Sequence, residues 1–158
     1  HGANASVSVL YSGTMAAALE GCLYGITSAG FSLNSFSPAA DFSVCRDYIR
    51  IVMKRLTEKP LPLGICLNVN IPAVEPEKIK GIKICRQSRG NWKEEFEKRK
   101  DPMGKTYYWL TGRFNNHEPE AQDTDEWALA NNFVSVVPVT VDMTAHRFID
   151  ELKKEFSL

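Results

Sequence analysis

A chain of 158 residues, 44% apolar and 24% charged, has the size and make-up of one globular domain with a real core. Its 19 basic and 19 acidic side chains cancel, which leaves no electrostatic footprint for a nucleic-acid polymer or an acidic membrane surface. No apolar run approaches the ~20 residues of a spanning helix. The chain begins at His1 rather than Met, so an upstream start and a targeting segment stay open.

Residues 1–10 read as loop. Residues 12–24 read as a helix of good helix formers, capped by Ser12 or Thr14 and ended by Gly25. Residues 26–33 form a short β-type run. Asp41 can cap a second helix in which Phe42, Cys45, Ile49, Val52, Met53 and Leu56 recur at helical spacing until Pro60. In residues 64–71, Ile65, Leu67, Val69 and Ile71 alternate on one face of a strand, and Pro72 ends it. A further strand is expected over 82–86. Residues 87–114 are charged yet aromatic, with a turn at Asp101-Pro102-Met103-Gly104, and read as a projecting hairpin. Asp123 or Thr124 caps a short helix, 133–139 is a strand, and Thr144 caps a last helix with Phe148, Ile149, Leu152 and Phe156 on one stripe. This order describes one α/β domain, 1–86 with 115–158, and an arm at 87–114.

Four cysteines, Cys22, Cys45, Cys66 and Cys85, are scattered through apolar segments without a CxxC pair. They lack zinc-ligand spacing and read as buried free thiols in a reducing cytoplasm, although a disulfide stays open. His1, His117 and His146 have no companion ligands at metal spacing. Gly104-Lys105-Thr106 lacks the earlier glycine of a phosphate-binding P-loop, its place being taken by Arg99. Asp123-Thr124-Asp125 could pair on a metal, but helix capping and the helix dipole explain it more simply, and Glu118, Glu120 and Glu126 read as solvated.

The chemistry lies in residues 4–20. A loop containing Asn4 leads into Tyr11-Ser12-Gly13-Thr14 at a helix start. The first amides of a helix have no internal partners and the dipole is positive there. Gly13 permits close approach, and the Ser12 and Thr14 hydroxyls add donors, a combination that suits a phosphate. An ordinary helix cap would use the same residues.

Gly2-Ala3-Asn4 and the run from Val9 to Gly21 resemble the G-x-N…YSGT…A-x-EG signature of the SurE family. Leu67-Asn68-Val69-Asn70-Ile71-Pro72 resembles its LNVN-(V/I)-P strand, and Tyr108 to Gly112 its YWL-x-G segment. Asp123-Thr124-Asp125, Ala128, Val134-Ser135-Val136 and Pro138 resemble its TD-x-x-A…VSV-x-P ending. The resemblance implies a Rossmann-like three-layer α/β fold with a projecting β-hairpin arm that mediates assembly into homodimers or homotetramers, the N-terminal strands being missing from this sequence. It implies a cytoplasmic, Mg²⁺- or Mn²⁺-dependent hydrolase of nucleoside 5′-monophosphates, with 3′-monophosphates and short polyphosphate as further substrates. Asn4, Ser12, Gly13 and Thr14 would hold the phosphate. The family's metal ligands are an Asp-Asp pair, a Ser and an Asn that all lie before the position of His1. The chain alone is therefore expected to be inactive. The alternative is a non-catalytic fragment that binds anions or assembles.

Overall fold

Ser12 has extended backbone and its Oγ accepts the Met15 amide at 3.0 Å, so the first helix, α1, runs Gly13–Leu23. Gly25 follows at φ +74°, and the amides of Gly25 and Ile26 return to the carbonyls of Cys22 and Gly21. Those residues are consumed in ending the helix. Strand β1, Ala29–Asn34, accordingly begins three residues later than the apolar run suggests. The second helix also starts late. The Asp41 carboxylate accepts the amide and hydroxyl of Ser43 in a local turn, and α2 spans Cys45–Glu58 without a side-chain cap. Phe42 stays outside the helix and exposed. Cys45, Val52 and Leu56 are buried as expected, Ile49 is half-buried, and Met53 faces solvent.

The remaining elements are β2 (Ile65–Pro72), β3 (Ile82–Ile84), β4 (Gly90–Lys100), β5 (Thr106–Asn116), α3 (Asp125–Ala130), β6 (Val134–Thr140) and α4 (Ile149–Glu155). This computed structural model describes residues 2–157, and the loop expected at His1 lies outside them. Residues 6–11 form a 3-10 turn where loop was expected.

The main sheet has the order β1-β2-β6-β3. The pairs β1/β2 and β3/β6 are parallel, and β2/β6 is antiparallel. On one face Val69, Ile71, Val134, Val136 and Leu33 pack with Cys45, Val52 and Leu56 of α2. On the other, Cys66 packs with Met15, Ala18 and Cys22 of α1, and Val137 packs with Ala128 of α3. Helices thus cover both faces, giving the three-layer α/β arrangement. Strand β2 is buried on both sides, unlike the one-sided strand its alternation describes.

Strands β4 and β5 pair only with each other, from Gly90–Asn116 to Lys100–Thr106, and so extend two residues past Phe114. Asp101 builds the turn by accepting the amides of Met103 and Lys105 at 2.9 and 2.8 Å. Phe96, Tyr108, Trp109 and Leu110 all lie exposed along this ribbon. The last helix differs from expectation at its start. Asp142 accepts the Thr144 amide at 2.8 Å and bonds His146 Nε2 at 2.6 Å, so a short 3-10 turn precedes α4 and Thr144 is not its cap. The stripe Phe148, Ile149, Leu152 and Phe156 is exposed throughout.

Candidate phosphate site

The loop before α1 is fastened to the sheet through the backbone of Asn4. The Asn4 amide donates to Asn70 Oδ1 at 2.6 Å, and the Asn4 carbonyl accepts from Asn68 Nδ2 at 2.8 Å. Asn70 Nδ2 in turn donates to Asn68 Oδ1 at 3.0 Å. The Asn4 side-chain amide donates to Ser32 Oγ on β1. Ser32 and Asn70 face each other in the β1/β2 register, as do Gly30 and Asn68. These residues therefore form one polar floor on the α1 side of the sheet.

The start of α1 rests on the same floor. A Cβ placed on Gly30 would lie 2.6 Å from Met15 Sδ and 3.4 Å from the Thr14 carbonyl, so a side chain here would have to displace the buried Met15 thioether beneath the start of the helix. Gly30 and Ser32 are same-face neighbours on β1, about 7 Å apart. Asn4 and the first turn of α1 are thus anchored side by side. Ser12 is half-buried, Gly13 and Thr14 are exposed, and nothing stands within 4 Å of where a Gly13 Cβ would be. The Ser12 hydroxyl spends a lone pair on the Met15 amide but keeps its proton to donate. The Gly13 and Thr14 amides have no acceptor within their own helix. Capping and anion binding are compatible here, with Asn4 bonded to Ser32 and Thr14 packed against Gly30 two residues away on β1.

Sequence reasoning missed the floor itself. Asn68 is 2% exposed and Asn70 is fully buried, although polar residues alternating with apolar ones read as a solvent face. Two asparagines at alternate positions of a strand flanked by apolar runs were the available signal, because buried amides must find partners. Opposite Asn70 in the β2/β6 register stands Ser135, also fully buried. Its hydroxyl has no hydrogen-bond partner among the described residues.

The acidic residues beyond the floor divide by partner. Asp125 is 1% exposed and accepts three amides, from Ser6 at 2.8 Å, Ser88 at 2.9 Å and Glu126 at 2.9 Å. Thr124 Oγ1 accepts the Trp127 amide and is the cap of α3. Glu118 is not simply solvated. Arg86 reaches it through Nη1 at 2.6 Å and reaches Asp123 through Nε at 2.8 Å. The Arg86 guanidinium and the Arg89 amide hold the Glu118 carboxyl down to about 2. Arg86 is thereby occupied by two carboxylates rather than offered to an anion. Glu126 is half-buried, and its carboxyl is pushed above the usual range by burial and by neighbouring Asp125.

Among the described residues no three His, Cys, Asp or Glu side chains converge on a point that could hold a metal ion. The donors on this floor are amides and hydroxyls, which suit an anion and hold a divalent cation poorly. No helix among the described residues is long and apolar enough to cross a membrane. Next to Ser12 a cleft of about 610 Å³ opens between α1 and β6, walled by Val9, Ala16, Leu19, Val137 and Val139.

Residues 1–94 match the family described as survival protein SurE. The 5′-nucleotidase SurE of Christiangramia forsetii is 52% identical over 152 residues, covering 96% of this chain and 58% of that protein. The 5′-nucleotidase SurE of Phocaeicola vulgatus is 50% identical over 153 residues, covering 97% of this chain and 59% of that protein. The crystal structure of SurE protein from Aquifex aeolicus superposes with a TM-score of 0.80 at 34% identity, covering 98% of this chain and 61% of that one. The chain thus spans about three-fifths of the length of the relatives it matches. The match of 94 residues to the family and the identity of about half the aligned positions to named SurE proteins agree with the fold, and the chain belongs to the SurE family.

Proposed function

We propose that the full-length protein is a cytoplasmic phosphomonoesterase acting on nucleoside 5′-monophosphates, and that this chain supplies its phosphate-holding side. The observation that carries the reading is the seating of Asn4 and the open first turn of α1 on one buried polar floor. The amides of Gly13 and Thr14, the Ser12 and Thr14 hydroxyls and the Asn4 side-chain amide would bind the phosphoryl oxygens and stabilise charge as the ester bond breaks. The unpaired Ser135 hydroxyl beside Asn70 fits a floor that a ligand or further chain completes. The names of the relatives supply the nucleotide. Mg²⁺ or Mn²⁺ is proposed as the cofactor, although no three His, Cys, Asp or Glu side chains among the described residues come together to hold it. Four buried, free cysteines fit a reducing compartment. Incubating the full-length protein with a nucleoside 5′-monophosphate and either metal should release inorganic phosphate. Absence of release with both metals would overturn the reading.

The arm is proposed to serve assembly into dimers or tetramers. A two-stranded ribbon is marginal in water, and this one leaves Phe96, Tyr108 and Trp109 mostly exposed. Arg99 lies 5.3 Å from the Trp109 ring centroid, and aromatics interleaved with charge are typical of interfaces. Deleting residues 91–106 and bridging with a short Gly-containing turn should lower the mass seen by light scattering while the helix signal persists. An unchanged oligomer would remove the arm from that role.

A further inference from the structure

We infer that Asp125 is a positioning residue for the phosphate site, acting through the loop that carries Asn4. The inference rests on the phosphate-site reading above. Asp125 stands at the start of α3, 121 positions from Asn4 in sequence, yet one of its oxygens accepts the Ser6 amide at 2.8 Å. Its other oxygen accepts the amides of Ser88 and Glu126, both at 2.9 Å. The carboxylate is therefore a buried knot joining the Asn4 loop, the segment after β3 and α3.

Ser6 shows why the knot is needed. It has φ +52°, the left-handed region that a residue with a side chain enters at a cost, and it is fully buried. Such a conformation persists only where its surroundings over-determine it. Two bonds do so: the amide to Asp125, and the Ser6 hydroxyl donating to the Ser88 carbonyl at 3.0 Å. Asn4 is two residues upstream. Its own ties to Asn68 and Asn70 fix it from the sheet side, and the Asp125 knot fixes the chain from the other side before it turns into α1. Among the described residues no hydrogen bond of Asp125 reaches Ser32, Asn68, Asn70 or the first turn of α1, so its hydrogen-bonded route to the site runs through the loop that carries Asn4.

In the full-length protein, Asp125→Asn keeps shape but puts a donor against one of the three amides. Losing kcat/KM by about ten- to a hundredfold is expected, the size of a small misplacement of a catalytic group. The decisive readout is a cycle with Asn4→Ala. If Asp125 acts through Asn4, adding Asp125→Asn to Asn4→Ala should cost little more than Asn4→Ala alone. Losses that multiply would overturn the inference and leave Asp125 as scaffold. Near-normal turnover of Asn4→Ala by itself would instead refute the phosphate-site reading, and this inference with it. If Asp125→Asn does not fold, Ser6→Ala takes its place in the cycle, because it removes the second tie and leaves the first. A smaller loss, again absorbed by Asn4→Ala, is then expected, and a multiplying loss again overturns the inference.

Discussion

Asn4→Ala and Thr14→Ala, each made in the full-length protein, should lower phosphate release by about tenfold or more, the scale of losing one transition-state donor. Neither change should unfold the protein. The Asn4 loop is held by main-chain groups, with the amide on Asn70 and the carbonyl on Asn68, and both bonds survive loss of the side chain. Only the side-chain bond to Ser32 disappears. Thr14 is exposed at the second position of α1, where alanine is a better helix former. The loss should therefore appear in turnover and not in thermal unfolding, measured side by side. Near-normal turnover in both variants, with folding intact, would remove the phosphate from this corner of the molecule.

A larger effect is expected for the 158-residue chain itself. Assayed alone with a nucleoside monophosphate and Mg²⁺ or Mn²⁺, it should release little or no phosphate. The candidate site offers amide and hydroxyl donors, and no acidic cluster among the described residues could grip a divalent ion. Asp125 and Asp123, the carboxylates nearest in sequence to a metal pair, are committed to backbone amides and to Arg86. A colorimetric phosphate assay run against a full-length relative decides the matter. Metal-dependent turnover comparable to that relative would show that the chain holds a complete site.

The helices, the strand order along the chain and the arm were legible because their signals are local. Ser12, Thr124 and the Asp101 turn announce themselves through side chains that bond to backbone a few residues away. Boundaries slipped where a local bond competed with the pattern. Asp41 turned back on Ser43 instead of capping α2, and Asp142 organised the start of the last helical segment before Thr144 could. The assignment of Asn4, Ser12, Gly13 and Thr14 to a phosphate is a proposal that rests on resemblance more than on chemistry, since a cap and an anion site share residues. The floor beneath them was not legible. Ser32 meets Asn70 only through the parallel β1/β2 pairing, Ser135 meets Asn70 only through the antiparallel β2/β6 pairing, and Asp125 meets Ser6 across 119 positions of chain. No window along the sequence contains those meetings.

The four cysteines give each packing layer its own chemical reporter. Cys45 lies in the cluster under α2, Cys22 and Cys66 in the cluster under α1, and Cys85 in the cluster under α3. Burial raises the thiols of Cys45 and Cys66 and pushes that of Cys85 up to about 11, with the Asp125 carboxylate adding to the last. A thiol that is buried and protonated reacts slowly, so alkylation must wait for its layer to open. The order in which the four sites become labelled in mild denaturant is therefore a map of which face of the sheet lets go first, written in mass units on peptides and needing no introduced probe.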